Sequence, residues 1–96
     1  NNGIQVMSMS LGGPDSNGDD SISQEADAAS AAGIVVVAAM GNDGTRRVST
    51  PAAADTAISI AASDDKNTVK RNDDTFAGYS NYGPRGDGYL KPDVAA

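Results

Sequence analysis

Ile34-Val35-Val36-Val37-Ala38-Ala39-Met40-Gly41-Asn42 decides the fold of this chain. Its apolar residues run without alternation, the pattern of a strand covered on both faces in a parallel sheet. Upstream, Ile4-Gln5-Val6-Met7-Ser8-Met9-Ser10-Leu11 alternates apolar with small polar residues and predicts a first strand, ended by Gly12-Gly13-Pro14. Between the two lies a polar loop, Asp15 to Asp20, with an Asn17-Gly18 turn signal. Ser21-x-x-Gln24 has the spacing of a capping box. Gln24 to Ala32 is rich in alanine, the best helix former, and Gly33 supplies the stop. Strand, helix and strand in this order form a βαβ unit with parallel strands. That geometry brings Ser10-Leu11-Gly12-Gly13 and Ala38-Ala39-Met40-Gly41-Asn42 to one edge of the sheet. In open α/β sheets this carboxyl edge is where ligands are handled.

Downstream, Asn42 to Thr56 reads as a long loop and Ala57 to Ala62 as a third strand. Ser63 to Asp74 is a polar, charged surface excursion, and Phe76 to Tyr82 is extended or turning. Pro92 to Ala95 begins another short strand. The fold class expected is α/β, a doubly wound parallel sheet.

The 96 residues suffice for one domain at most, and alanine, glycine and short aliphatics are thin material for an independent core. A start without methionine and an end at Asp93-Val94-Ala95-Ala96 suggest a segment of a larger domain, covering residues 1–96. Net charge is −6, with every Lys and Arg after Thr45. No basic stripe of the kind nucleic acids require is present, so no nucleic-acid partner is expected. The acidic surface and the lack of a long apolar run argue against a membrane. Absence of cysteine leaves the compartment open.

The chain holds no histidine and no cysteine, so it cannot by itself build a Ser-His or Cys-His nucleophile pair. Asn42 can donate hydrogen bonds through its amide, although Asn42-Asp43-Gly44 is also an ordinary turn composition. Asp15-x-Asn17-x-Asp19 opens like a calcium loop, but Asp20 and Ala26 stand where glycine and a carboxylate are needed, and the match fails. Ser80 lacks a nucleophile elbow and reads as a structural hydrogen bonder. Lys66, Lys70 and Lys91 lie among polar residues and are expected to stay protonated rather than act as bases.

Five phrases in order resemble the subtilisin-like serine proteases, the subtilases. They are Met9-Ser10-Leu11-Gly12-Gly13-Pro14; Val35 to Gly44; Thr50-Pro51-Ala52 with Ile58 to Asp64; Phe76 to Pro84; and Lys91-Pro92-Asp93-Val94-Ala95-Ala96. The resemblance implies a three-layer domain, only partly represented, that hydrolyses peptide bonds by acyl transfer. The family's catalytic Asp and His precede the matched region and its Ser follows it. Asn42 matches the oxyanion asparagine. Ser10, Leu11 and Gly12 match the edge that pairs with extended substrate, and Gly12 and Gly13 admit close backbone approach. Ala39, Met40 and Gly41 match a wall of the pocket for the residue before the scissile bond. Met40 replaces a smaller residue and bears on that pocket's shape. Phe76-Ala77-Gly78-Tyr79-Ser80 resembles a two-residue expansion of the family's Phe-Ser. No cofactor is implied for the chemistry. A structural calcium, held by loop carbonyls after Asn42 together with Asp93, is implied by the same likeness. So are a polypeptide substrate, docking to the rest of the peptidase domain, and an exported or extracellular location.

Two other readings are consistent with parts of this pattern. One is a catalytically inactive subtilase-like module with a binding or structural role. The other is a doubly wound nucleotide binder, which the lack of a G-x-G-x-x-G corner after the first strand disfavours.

Overall fold

The computed structural model describes residues 3–96. Among the described residues there are seven elements: β1 (Val6–Met9), α1 (Ser21–Ala31), β2 (Val35–Ala39), β3 (Ile58–Ala61), β4 (Ser63–Asp64), β5 (Thr75–Phe76) and β6 (Val94–Ala95). A four-stranded sheet runs in the order β1-β2-β3-β6 with every pairing parallel, as the βαβ reading requires. Val6 pairs with Val35 and Met9 with Ala38, so both strands end level with each other. The polar excursion after β3 forms a small antiparallel ladder of β4 with β5, a pairing the charged composition did not suggest.

The helix starts one residue earlier than its capping-box spacing predicts. Asp20, not Ser21, is the N-cap: its carboxylate accepts from the Ser23 amide at 3.1 Å, and Gln24 turns away to the Asp19 carbonyl. An aspartate ahead of a serine wins the cap because its charged oxygens are the stronger acceptors. Burial works against the charged form of Asp20, but hydrogen bonds from Ser16, Ser23 and Thr50 outweigh it and hold the carboxyl below the usual range. The Thr50 hydroxyl donates at 2.7 Å, so the cap also ties the helix to the loop after β2. Ala32 is the C-cap, and Gly33 follows as the stop the sequence suggested.

Alanine lets the layers lie close. Ala26 on α1 packs with Val36, Ala54 and Ala57, and Ala38 packs with Met40, Val48, Ala52, Ala53 and Ala61. The helix and the 42–56 loop therefore cover the same face of the sheet. Within the described residues this arrangement covers one face of β2. Val36 and Ala38 are buried, but Val35 on the opposite face is exposed, together with Val6, Ile58 and Val94. Two layers of the expected architecture are present among the described residues, in keeping with a partial domain.

Lys91 also departs from expectation. Its side chain is only 1% exposed, with Nζ donating to the Ala57 carbonyl at 2.6 Å and to Asp93 at 3.1 Å. The polar neighbours in sequence are not its neighbours in space. Arg85 is buried likewise, bridging the Ala53 carbonyl, Asp55 and Asp87 beneath the Tyr89 ring. No helix among the described residues is long and apolar enough to cross a membrane.

Candidate active site

Because β1 and β2 are parallel and level, the chain leaves both through corners on the same edge. Ser10, Leu11, Gly12 and Gly13 form one rim of a cavity of about 290 Å³; Ala39, Gly41, Asn42 and Asp43 form the other, with Arg47 and Ser49 completing the lining. A neighbouring cavity of about 330 Å³ shares Ser10, Ala39, Gly41 and Asn42 and continues over Ile60, Ala61 and Ala96. Met40 borders only this second space, and its side chain is buried in the core with Val48 and Ala52. Its bulk is therefore taken up by packing and does not narrow the glycine-lined cavity.

The two rims are held differently. Among the described residues, Leu11 and Gly12 make no backbone–backbone hydrogen bond, and the Leu11 side chain is exposed. Only at Gly13 does this corner attach, through its amide to the Thr50 carbonyl at 2.8 Å and the return bond from Thr50 to Pro14 at 3.0 Å. A Cβ on Gly13 would lie 2.9 Å from Thr50 Cγ2, so the close approach this glycine permits is to the chain's own loop.

The Asn42 rim is stitched to the 79–82 segment. Asn81, fully buried, accepts from the Asp43 amide at 2.8 Å. Its Nδ2 donates to the Met40 carbonyl at 3.2 Å and to Asp43 Oδ2 at 3.1 Å. Backbone bonds from Gly44 to Tyr79, Asn81 to Gly41, Tyr82 to Thr45 and Arg47 to Tyr82 add to this. Gly41 is required here twice over: its φ is +108°, and a Cβ would fall 2.5 Å from Asn81 Nδ2. Within this fixed loop Asn42 is exposed on the cavity, and its side-chain amide has no hydrogen-bond partner among the described residues. A rigid backbone carrying an uncommitted donor suits the stabilisation of charge that develops on a bound group.

Ser80 is buried, accepting from the Ala62 amide at 3.0 Å and donating to the Asn81 carbonyl at 3.1 Å, in keeping with the structural role read for it. Asp93 lies away from this edge. Its Oδ2 accepts from the Ser59 amide at 2.8 Å, the Ser59 hydroxyl at 2.7 Å and Lys91 Nζ. Burial raises its carboxyl and these donors lower it further, for a net downward shift. An ammonium group already supplies the opposing charge, and no cluster of three His, Cys, Asp or Glu side chains able to hold a metal occurs among the described residues. The surroundings of Asp93 do not fit a cation.

Asn81 and Arg47 were not legible as site or scaffold residues in the sequence, and Asp93, read there as a cation ligand, was not legible as the partner of Lys91. Asn81 sits 38 residues from Asp43, and nothing local to it marks that contact.

Comparison with known proteins shows the family and the fold. The family model described as the Subtilase family matches residues 1–96. The chain is 39% identical over 99 residues to the serine protease AprX of Bacillus subtilis, covering 97% of this chain and 22% of that protein. It is 45% identical over 67 residues to subtilisin DY of Bacillus licheniformis, covering 66% of this chain and 24% of the relative. Among solved structures, the psychrophilic subtilisin-like protease Apa1 of Pseudoalteromonas sp. AS-11 superposes with a TM-score of 0.72 at 26% identity, over 98% of this chain and 18% of that one. The maturation protease PagA shares the fold, with a TM-score of 0.70 at 24% identity over 86% of this chain and 28% of the other. The chain thus spans about a quarter or less of the length of these curated relatives.

Proposed function

The chain belongs to the subtilase family, and we propose that it is the central segment of a serine endopeptidase domain, residues 1–96 supplying the oxyanion donor and the substrate-gripping edge. The observation that carries this reading is the parallel, level register of β1 and β2, with Ser10–Gly13 and Asn42 facing each other across one cavity. An extended peptide adds to the free backbone of Leu11 and Gly12 as a further strand, which fixes the scissile carbonyl against the opposite rim. When a serine hydroxyl attacks that carbonyl, negative charge grows on its oxygen. The Asn42 amide donates to the charge without reorganising, because Asn81 already holds the loop. The serine, its histidine base and the orienting aspartate come from elsewhere in the parent domain, since this chain contains no histidine. The substrate is a polypeptide, and the location read for the parent enzyme is extracellular, both by family resemblance.

Asn42→Ala in the intact domain tests the central role. The loss known for a single oxyanion-hole donor in subtilisin itself is about 10²–10³ in kcat, and that figure is carried over here from the family. KM should change little, because the amide acts on charge present only in the transition state. Steady-state kinetics on a peptide substrate decide it: a kcat equal to wild type removes Asn42 from the chemistry.

A further inference from the structure

Two pairs of adjacent basic residues stand in this chain, Arg46-Arg47 and Lys70-Arg71, and the fold treats them in opposite ways. Arg46 bridges to Tyr82, the Arg47 amide donates to the Tyr82 carbonyl at 2.9 Å, and the Val48 amide donates to Asp15 at 2.9 Å. The Arg47 side chain is tied as well, through Nη1 to Asp43 at 3.3 Å and Nη2 to the Gly13 carbonyl at 3.1 Å. Lys70 and Arg71 lie in the excursion between β4 and β5, where residues 64–72 are exposed and Val69 is entirely so. From Val69 to Asp74 no backbone hydrogen bond reaches the rest of the molecule. Neither basic side chain of this pair enters an ion pair among the described residues.

The ends of the same loop are firmly closed. Ser63 pairs with Phe76 and Asp64 with Thr75, and the Ala77 amide donates to the Ala62 carbonyl at 2.9 Å. Behind them the Ala62 amide donates to Ser80 Oγ at 3.0 Å, and Asn81 holds residues 40–43. Endopeptidases seat the chain they cut as an extended strand, so the bond to be cut must first leave its fold. At Arg46-Arg47 this breaks the bonds to Tyr82 and Asp15 and lifts the buried Val48. At Lys70-Arg71 it breaks no long-range backbone bond.

We propose that Lys70-Arg71 is a processing site for a trypsin-like endopeptidase, and that the cut leaves a two-chain domain still joined by the β4–β5 ladder. Exposed loop tips are the preferred places for such nicking. The two free cationic side chains suit the carboxylate in the specificity pocket of that enzyme class. In the step, the oxygen of water bonds to the carbonyl carbon of Lys70 or Arg71, the C–N bond breaks, and the departing amine takes the proton. Both rims of the cavity stay on the first piece, and Asn81 on the second still grips the Asn42 loop.

The test treats the intact parent domain with trypsin over time, after a serine-reactive fluorophosphonate has silenced its own activity and the excess reagent has been removed. Mass spectrometry under denaturing conditions gives the cleavage rate at each basic pair, and gel filtration in native buffer shows whether the pieces stay together. Cutting after Lys70 or Arg71 is expected at least about a hundredfold faster than after Arg46 or Arg47, where about three net hydrogen bonds must open first. The cut protein should elute at the position of the uncut one. Lys70→Gln with Arg71→Gln should remove the cut without moving the melting temperature, and Arg46→Gln should leave the pattern unchanged. Equal rates at the two pairs, a loop that resists trypsin, or pieces that separate in native buffer each overturn the proposal. Because the readouts are mass and size, such a failure leaves the protease reading untouched.

Discussion

The two rims of the cavity are built on opposite plans. At the end of β1, Leu11 and Gly12 leave their backbone groups free and only Gly13 is tied down. At the end of β2, residues 40–47 are bonded at nearly every step to residues 79–82 through Asn81 and its neighbours. The difference follows from the work proposed for each. A rim that pairs with a peptide must keep donors and acceptors uncommitted until the peptide arrives. A rim that stabilises developing charge gains from being fixed beforehand, since reorganisation at the moment of reaction would cost part of the stabilisation.

The largest effect that would break this contrast belongs to Asn81. Asn81→Ala leaves the Met40 carbonyl and the Asp43 amide without their partner, at a cost of about 1–3 kcal/mol in stability. Because Asn42 rides on the same loop, kcat should fall by at least about tenfold with KM nearly constant. Urea melts and steady-state kinetics on the intact domain check both. If the melt shifts and kcat does not, Asn81 supports the fold but does not position Asn42.

A smaller effect is expected at Asp20, which holds the loose rim at one remove: it binds Thr50, and Thr50 binds Gly13. Asp20→Ala should cost about 1–2 kcal/mol, the usual value of a lost cap. The pH dependence has a definite sign. The Asp20 carboxyl is depressed in the folded state, so its contribution is complete above the unfolded carboxylate value of about 4 and drains away as pH falls below it. The substituted protein should show a shallower acid limb in denaturant titrations at successive pH values. An acid limb of equal slope would take Asp20 out of the account.

Smallest of all is Leu11→Ala. With an exposed side chain and no backbone partner, Leu11 should contribute under about 0.5 kcal/mol to stability, and its loss should appear in KM. A clear drop in melting temperature would mean that this rim is as firmly packed as its opposite.

Local periodicity made the strands, the helix and their order readable. Alternation marks β1, an unbroken apolar run marks β2, and alanine ended by Gly33 marks α1. The parallel pairing followed from that order, and with it the meeting of Ser10–Gly13 and Asn42 at one edge. Contacts between distant parts of the chain were not readable. The burial of Lys91 depends on the Ala57 carbonyl, the placing of Arg47 on Gly13, and the rigidity of Asn42 on Asn81.

Sequence alone therefore determined which segments are extended or helical and which corner residues can meet, because both follow from short-range backbone preference and chain order. The tertiary structure decided which of those corners is rigid, which charges share the cavity and which polar side chains are buried. Those properties come from hydrogen bonds between residues some thirty to forty positions apart, whose partners no local pattern specifies.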